Sequence, residues 1–90
     1  MEGYIEIIPV GESSTRIFIE KSKIVFFTID PAIYSNRKQY CITAHIEGGN
    51  SLSIKKNRNS DSFNSQKEAK EFLEGLMAED QLDKKIKRLI

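Results

Sequence analysis

Apolar and polar residues alternate with a period of two through much of residues 1–56, which is the pattern of half-buried β-strands. The pattern predicts five strands, in the segments YIEIIPV, TRIFIE, KIVFFTI, QYCITAHIE and SLSIKK. The fourth strand is the most regular, and its apolar face carries Tyr40, Ile42, Ala44 and Ile46. Gly48 and Gly49 favour a tight turn after it, so residues 39–55 are predicted to form an antiparallel hairpin.

The segment RIFIEKSKIVFFTI, residues 16–29, offers apolar side chains to both faces of this sheet. Its first half alternates regularly, whereas Ile24 to Phe27 are four apolar residues in a row. Such a run is typical of a strand that is covered on both sides. A second apolar face, which includes Phe18, therefore needs a cover of its own.

Residues 65–77 have the periodicity of an amphipathic helix. Ser65 is a suitable N-cap, and Glu68 follows at the spacing of a capping box. The apolar stripe consists of Ala69, Phe72, Leu73, Leu76 and Met77. We expect it to pack on the sheet face that carries Ile42, Ala44, Ile46, Leu52 and Ile54.

The last segment, AEDQLDKKIKRLI, predicts a second helix that begins near Asp80. Its apolar residues fall on nearly the opposite side from the first stripe, so a break between the two helices is expected. The second helix would cover the spare sheet face, either within one chain or across the two-fold axis of a homodimer. The predicted interaction surface comprises Phe18, Val25, Phe27, Leu82, Ile86 and Leu89.

These segments predict an α+β fold, in which an antiparallel sheet of about five strands is followed by one or two C-terminal helices packed on it. Pro9 is expected to end the first strand or to lie at an edge, and Asp30-Pro31 predicts a turn into a longer connection. We expect a single domain, residues 1–90, made of a β-rich part (1–56), a loop (57–64) and a helical part (65–90).

Composition limits the choice of function without naming one. The 14 basic and 13 acidic residues give a net charge of +1, which argues against nucleic-acid binding over the whole surface. Cys41 is the one cysteine, which fits a reducing compartment. The first residues lack the features of a secretory signal, and no apolar run approaches the roughly 20 residues that span a membrane. A cytoplasmic protein without a membrane span is therefore expected.

The residue pattern does not indicate catalysis, a cofactor or a metal ion. Cys41 and His45 share a face of the fourth strand, but about 13 Å between their Cα atoms is too far for a hydrogen bond or a shared zinc ion. Glu79, Asp80 and Asp83 fit the start of a helix. The segment NRNSDSFNS lacks the spacing of a calcium-binding loop. We therefore expect no catalytic, cofactor-binding or metal-binding residues.

The order of elements from Gln39 onward carries one family resemblance. An antiparallel hairpin with glycines in its turn, followed by the helix SFNSQKEAKEFLEGL, resembles the closing half of pleckstrin-homology-like domains. The resemblance covers roughly residues 39–77. It implies a domain that binds lipids, peptides or other proteins through varied surfaces, and no functional residue is carried over from it.

Basic residues near aromatic ones define a second possible function, because they can hold phosphates and stack bases. They fall into three groups: Lys55, Lys56 and Arg58; Lys84, Lys85, Lys87 and Arg88; and the loop 34–40 with Tyr34, Arg37, Lys38 and Tyr40. The leading expectation is a non-enzymatic protein-interaction or adaptor module that self-associates through the apolar sheet face and the C-terminal helix. The alternative is a nucleic-acid-associated accessory protein that uses the basic C-terminal helix and the 34–40 loop.

Overall fold

The computed structural model describes residues 3–11, 15–34, 36–77 and 86–89. In chain order its elements are β1 (Tyr4–Ile7), β2 (Ile17–Glu20), a short 3-10 helix (Lys21–Lys23), β3 (Ile24–Tyr34), β4 (Arg37–Ile46), β5 (Asn50–Ile54), α1 (Gln66–Leu76) and β6 (Ile86–Leu89). Strands β1 to β5 make antiparallel pairs, whereas β6 pairs parallel to β3. The α+β class, the hairpin at 39–55 and the helix after it are therefore confirmed.

An isolated bridge at Pro9 connects two sheets. The first sheet contains β1 and β2, and the second has the strand order β5-β4-β3-β6. Pro9 forms a bridge to Ile54 of β5, and the Lys55 N–H donates to the Ile8 carbonyl at 2.8 Å beside it. The residues just after β1 therefore pair with the end of β5 and connect the two sheets.

The turn predicted at Asp30-Pro31 is wrong, because β3 passes through both residues. Pro31 lies opposite Tyr40, whose N–H and carbonyl bond to Phe63 on the far side of β4. The ring nitrogen of Pro31 therefore faces the outer edge of β3, where a strand tolerates the loss of one N–H. The chain reverses instead at Asn36, which adopts a φ of 65°.

A β-bulge at Val25 decides which residues of β3 enter the core. Ile24 lies opposite Ile46, and Phe26 lies opposite His45, so β3 uses two residues where β4 uses one. Regular alternation would place Val25 and Phe27 on the same face, but the bulge shifts the alternation by one residue. Phe27 is consequently 0% exposed and Val25 is 51% exposed. The predicted surface role of Phe27 is therefore wrong.

Helix α1 covers the inner face of the sheet, as predicted. One core cluster contains the expected residues of both layers, namely Ala69, Phe72, Leu73, Leu76, Ile42, Ala44, Ile46, Leu52 and Ile54. The Ser65 Oγ accepts a hydrogen bond from the Glu68 N–H at 3.0 Å, which confirms the predicted N-cap. The Glu68 carboxylate contacts the ammonium group of Lys56 at the end of the hairpin.

Phe63 is part of the core, although the polar segment around it predicts an exposed loop. Its N–H and carbonyl exchange hydrogen bonds of 2.8 Å with the backbone of Tyr40. Its buried ring lies 5.1 Å from the ring of Phe72, between centroids. The loop after β5 is thereby attached to β4 at one end and to α1 at the other. A lone aromatic residue beside a helix cap was the sequence signal for this anchor.

The second helix predicted for the C-terminal segment is wrong at residues 86–89, which form β6 beside Phe27–Ile29 of β3. Four residues are too few for periodicity to separate a strand from a helix. The edge of β3 presents backbone groups that a terminal strand can satisfy. Ile86 and Leu89, together with Lys87 and Arg88, therefore belong to a sheet edge. The predictions for Glu79, Asp80, Leu82, Asp83, Lys84, Lys85 and Ile90 lie outside the described residues.

A candidate binding groove

A groove of about 420 Å³ opens on the surface between β1, the loop after β5 and the second half of α1. Its apolar lining consists of Ile7, Ile8, Phe72 and Leu76. Its polar lining consists of Glu6, Arg16, Lys55, Lys56, Asn57, Arg58 and Asn59. The groove therefore has an apolar floor and a rim rich in cationic side chains.

The floor is positioned by elements of the core. Phe72 and Leu76 are four residues apart on α1, so they lie on the same side of the helix, and both are half-buried. The ring of Phe63 packs against Phe72 from within the protein. Ile8 is half-buried beyond the end of β1, where its carbonyl accepts the Lys55 N–H. The floor is thus a part of the core that is open to solvent.

The rim is shaped by a tight turn at residues 56–60. The Lys56 N–H donates to the Ser60 carbonyl at 3.0 Å, and the Asn57 Oδ1 accepts the Asn59 N–H at 2.8 Å. The ammonium of Lys55 donates to the Arg58 carbonyl at 3.1 Å. These bonds fix the backbone of the turn and leave Arg58 exposed at its tip.

Two of the cations of the rim are neutralised by carboxylates of the loop and the helix. Lys55 Nζ lies 3.4 Å from an oxygen of Asp61, and Lys56 contacts Glu68. The hydrogen bond from Lys56 is the main reason that the pKa of Glu68 falls below its ordinary value. The side chain of Arg58 makes no ion pair with any residue that the structure describes.

The third pair lies on the β1 side of the rim. Arg16 Nη1 donates to Glu6 Oε1 at 2.6 Å, and both side chains are largely exposed. Exposed pairs of this kind contribute about 0 to 1 kcal/mol each, so a ligand group can replace one partner at little cost. Arg58, which makes no ion pair with a described residue, has no carboxylate to displace. Arg58 and the apolar floor are therefore the strongest attachment points of the groove.

The structure unites only part of the predicted basic patch. Lys55, Lys56 and Arg58 meet at the rim, whereas Lys87 and Arg88 lie on β6. The predicted 34–40 loop is the end of the β3–β4 hairpin, and there Lys38 Nζ lies 5.8 Å from the centre of the Tyr40 ring. That ring also packs against the core, which reduces the surface on which a base could stack.

The predicted apolar interaction surface is not a single surface. Phe18 is 53% exposed on β2 and Val25 is exposed at the bulge, but Phe27 is in the core. None of these three residues lines the groove. Phe72 and Leu76 of the floor were assigned to the packed stripe of the helix from their periodicity, which reports a buried face but not whether that face remains partly open. Arg16 gave no local signal.

The outer face of β3 and β4 holds Cys41 and His45, the pair considered for catalysis. The imidazole of His45 stacks on Phe26, and its Nε2 shares a hydrogen bond of 3.2 Å with the Thr28 hydroxyl. Cys41 lies opposite Asp30 in the ladder. Among the described residues, no group of three or more His, Cys, Asp and Glu side chains could hold a metal ion.

Comparison of the chain with protein-family models, with curated proteins and with solved structures gives no match. Within the part of the chain that the structure describes, no helix has the length and apolar character needed to cross a membrane.

Proposed function

We propose that this protein is a small, non-enzymatic protein-interaction module, and that its groove binds a segment of another protein that carries apolar side chains next to an acidic group. The observation that carries the proposal is the combination of the floor made by Ile8, Phe72 and Leu76 with the exposed guanidinium of Arg58. Apolar side chains of the ligand would pack on this floor and be removed from contact with water. This burial of apolar surface is the main source of affinity in such sites. A carboxylate beside them would bind Arg58 and fix the orientation.

Nucleic acid is the alternative ligand, and the adjacent cations Lys55, Lys56 and Arg58 are the observation in its favour. Binding to nucleic acid draws its free energy from the release of counterions as phosphates are neutralised. Lys55 and Lys56 already bind Asp61 and Glu68, so fewer free charges remain for phosphates. The apolar floor also has no role in holding a phosphate chain. Both features favour a protein ligand.

A random peptide library displayed on phage provides the probe. The expected result is enrichment of peptides in which Leu, Ile or Phe stands near Asp or Glu. In 15N–1H spectra of the wild-type protein, a synthetic selected peptide should shift the amide signals of Ile8, Arg58 and Leu76. A mixed-sequence single-stranded oligonucleotide serves as the competing probe. Salt-sensitive oligonucleotide binding without peptide enrichment would replace the protein ligand with the nucleic-acid alternative.

Two charge reversals test the site itself. Arg58→Glu and Lys67→Glu change the net charge equally, but Lys67 is exposed on α1 and does not line the groove. Arg58→Glu should weaken binding of the selected peptide by about tenfold, equivalent to about 1.4 kcal/mol. Lys67→Glu should leave it within about twofold. Equal losses in both variants would mean that the net charge, rather than the groove, determines binding.

A further inference from the structure

Strand β2 has one edge to which no other described strand is paired. β1 occupies its other edge, with Ile5 opposite Ile19 and Glu6 opposite Phe18. The Phe18 side chain is 53% exposed, although it is one of the largest apolar groups of the chain. An exposed strand edge with an apolar side chain at its centre can pair with another strand.

The backbone groups on the open edge can be identified from one hydrogen bond. The Lys21 N–H donates to the Gly3 carbonyl at 2.9 Å. Hydrogen-bonded pairs alternate along an antiparallel ladder, so Ile19 and Ile17 bond to β1, while Phe18 and Glu20 do not. The N–H and C=O groups of Phe18 and the N–H of Glu20 therefore point toward the open edge and are available to a further strand, while the Glu20 carbonyl, at the N-cap of the 3-10 helix, accepts the first bond of that helix.

The sequence of this edge, Arg-Ile-Phe-Ile-Glu at residues 16–20, is complementary to its own reverse. We infer that two copies of this chain pair through their β2 strands, antiparallel and about a two-fold axis at Phe18. Arg16 then lies opposite Glu20 of the second copy, and Ile17 lies opposite Ile19 of the second copy. The two Phe18 side chains face each other on the outer surface.

Each contact in this arrangement is favourable for a separate physical reason. Arg16 is exposed and bonds to Glu6 through Nη1, and its guanidinium has further N–H donors for a second carboxylate. Apolar pairs opposite each other on neighbouring strands stabilise a sheet. A register shift by two residues would place Phe18 opposite Glu20 of the second copy, which removes both ion pairs. The charges therefore select one register.

Arg16 belongs both to this interface and to the rim of the groove, but neither Phe18 nor Glu20 lines the groove, so variants at those two residues test the interface separately from the proposed peptide ligand. Two paired five-residue segments bury less area than the about 1,600 Å² of a standard interface, so dimerisation should be concentration-dependent. Sedimentation velocity from about 5 to about 500 µM should show a mass that rises toward twice the 10.3 kDa of one chain. A mass of one chain throughout would overturn the inference.

A matched pair of variants locates the interface. Phe18→Lys places two ammonium groups opposite each other at the axis and should yield a monomer. Val25→Lys makes the same charge change at a similarly exposed apolar residue that lies on another strand, and it should still dimerise. A thermal melt of each variant verifies folding. Dimerisation that is equally lost or equally retained in both variants would show that β2 is not the interface.

Complementary charge reversals test the register between molecules. Arg16→Glu places a new carboxylate opposite Glu20 of the second copy, and Glu20→Arg places a new guanidinium opposite Arg16 of the second copy. Each variant alone should therefore dimerise about tenfold or more weakly, because like charges face each other. An equimolar mixture should recover dimerisation, because both ion pairs reform in the heterodimer. An effect on the fold of either variant cannot produce this recovery, and failure of the mixture to dimerise would overturn the proposed register.

Discussion

Phe26 and His45 lie opposite each other on β3 and β4, and their rings stack with centroids 4.2 Å apart and an angle of 16° between planes. The same imidazole shares a hydrogen bond with the hydroxyl of Thr28, which is buried. His45 is thus held by two neighbours on the outer face of the sheet. This arrangement supports a structural role for it rather than a partnership with Cys41.

The hydrogen bond between Thr28 and His45 can be removed by Thr28→Val, which keeps the shape of the side chain. We expect a loss of about 1 kcal/mol in the free energy of unfolding, measured in urea, because a half-buried imidazole nitrogen loses its partner. Thr43→Val is the control, since Thr43 is on the same face and lies opposite Thr28 in the ladder. An equal loss of stability in both variants would indicate that replacing a threonine on this face, rather than removing the hydrogen bond to His45, causes the loss.

The bulge makes a sharp prediction about two residues that regular alternation would treat alike. Phe27→Ala should destabilise the fold by about 3 to 5 kcal/mol, because it empties a fully buried site. Val25→Ala should cost less than about 0.5 kcal/mol, since that side chain is half-exposed. Chemical denaturation measures both. Similar losses would mean that the two side chains share one face and that the bulge is absent.

The ion pair between Lys56 and Glu68 predicts a pH dependence. The pKa of Glu68 is lower in the folded chain than its ordinary 4.5, so ionised Glu68 stabilises the fold above that pH, and the contribution disappears as the pH falls through the lowered value. Glu68→Gln should be slightly less stable than wild type at pH 7, by about 1 kcal/mol at most. The difference in urea-unfolding free energy should shrink on acidification below about pH 5.

The control for this pH dependence is Glu71→Gln, because Glu71 lies on the exposed side of the same helix. Its stability should follow that of wild type at every pH. If Glu68→Gln also followed wild type at every pH, Lys56 would not be stabilising the ionised carboxylate.

The parallel pairing of β6 predicts which amides of β3 depend on the C-terminal segment. Thr28 pairs with Arg88, so Arg88→Pro should disturb this ladder by removing a backbone N–H and constraining φ. Hydrogen exchange at the amides of Phe27 and Ile29, which face β6, should accelerate by about tenfold or more, whereas the amide of Thr28 faces Thr43 of β4 and should stay protected. Arg88→Ala keeps the N–H and should preserve their protection. Unchanged exchange in Arg88→Pro would contradict the pairing.

The elements that the sequence predicted well are those in which one face is buried along a whole regular segment. The β4–β5 hairpin alternates cleanly and turns at Gly48 and Gly49, which adopt the positive φ expected of them. Helix α1 has both a cap at Ser65 and a continuous apolar stripe. In these elements the local geometry and the burial require the same pattern of apolar residues, so that pattern is sufficient to predict the element.

The wrong predictions fall where a distant partner changes the meaning of a local signal. Pro31 is a turn residue by local preference, but its position at the outer edge of β3 allows it to remain in the strand. Residues 86–89 are compatible with either a helix or a strand, and the edge of β3 selects the strand. Phe63 enters the core because its backbone N–H and C=O form hydrogen bonds with the backbone of Tyr40.

The candidate groove was not predictable as a site. Its residues come from β1, the segment before β2, the turn at 56–60 and α1, which are far apart in the chain. Several of them gave a correct local signal, such as the apolar stripe positions of Phe72 and Leu76 or the basic residues Lys55, Lys56 and Arg58, whereas Arg16 gave none. Which of these positions remain open to solvent depends on how the elements meet, and a pattern along one segment does not contain that information.

The sequence by itself determined the α+β class, the central hairpin, the helix with its cap and the apolar stripe by which that helix packs on the hairpin. It also contains the self-complementary order of residues 16–20, because charge and side-chain alternation along a strand are local properties. Tertiary structure alone decided that Val25 bulges outward, that Pro9 joins two sheets, that 86–89 adds a parallel strand and that a basic-rimmed groove opens beside α1. The physical reason is that these features depend on backbone hydrogen bonds and burial between segments that are distant in sequence. Each segment alone has several acceptable conformations, and the contacts of the whole fold select one of them.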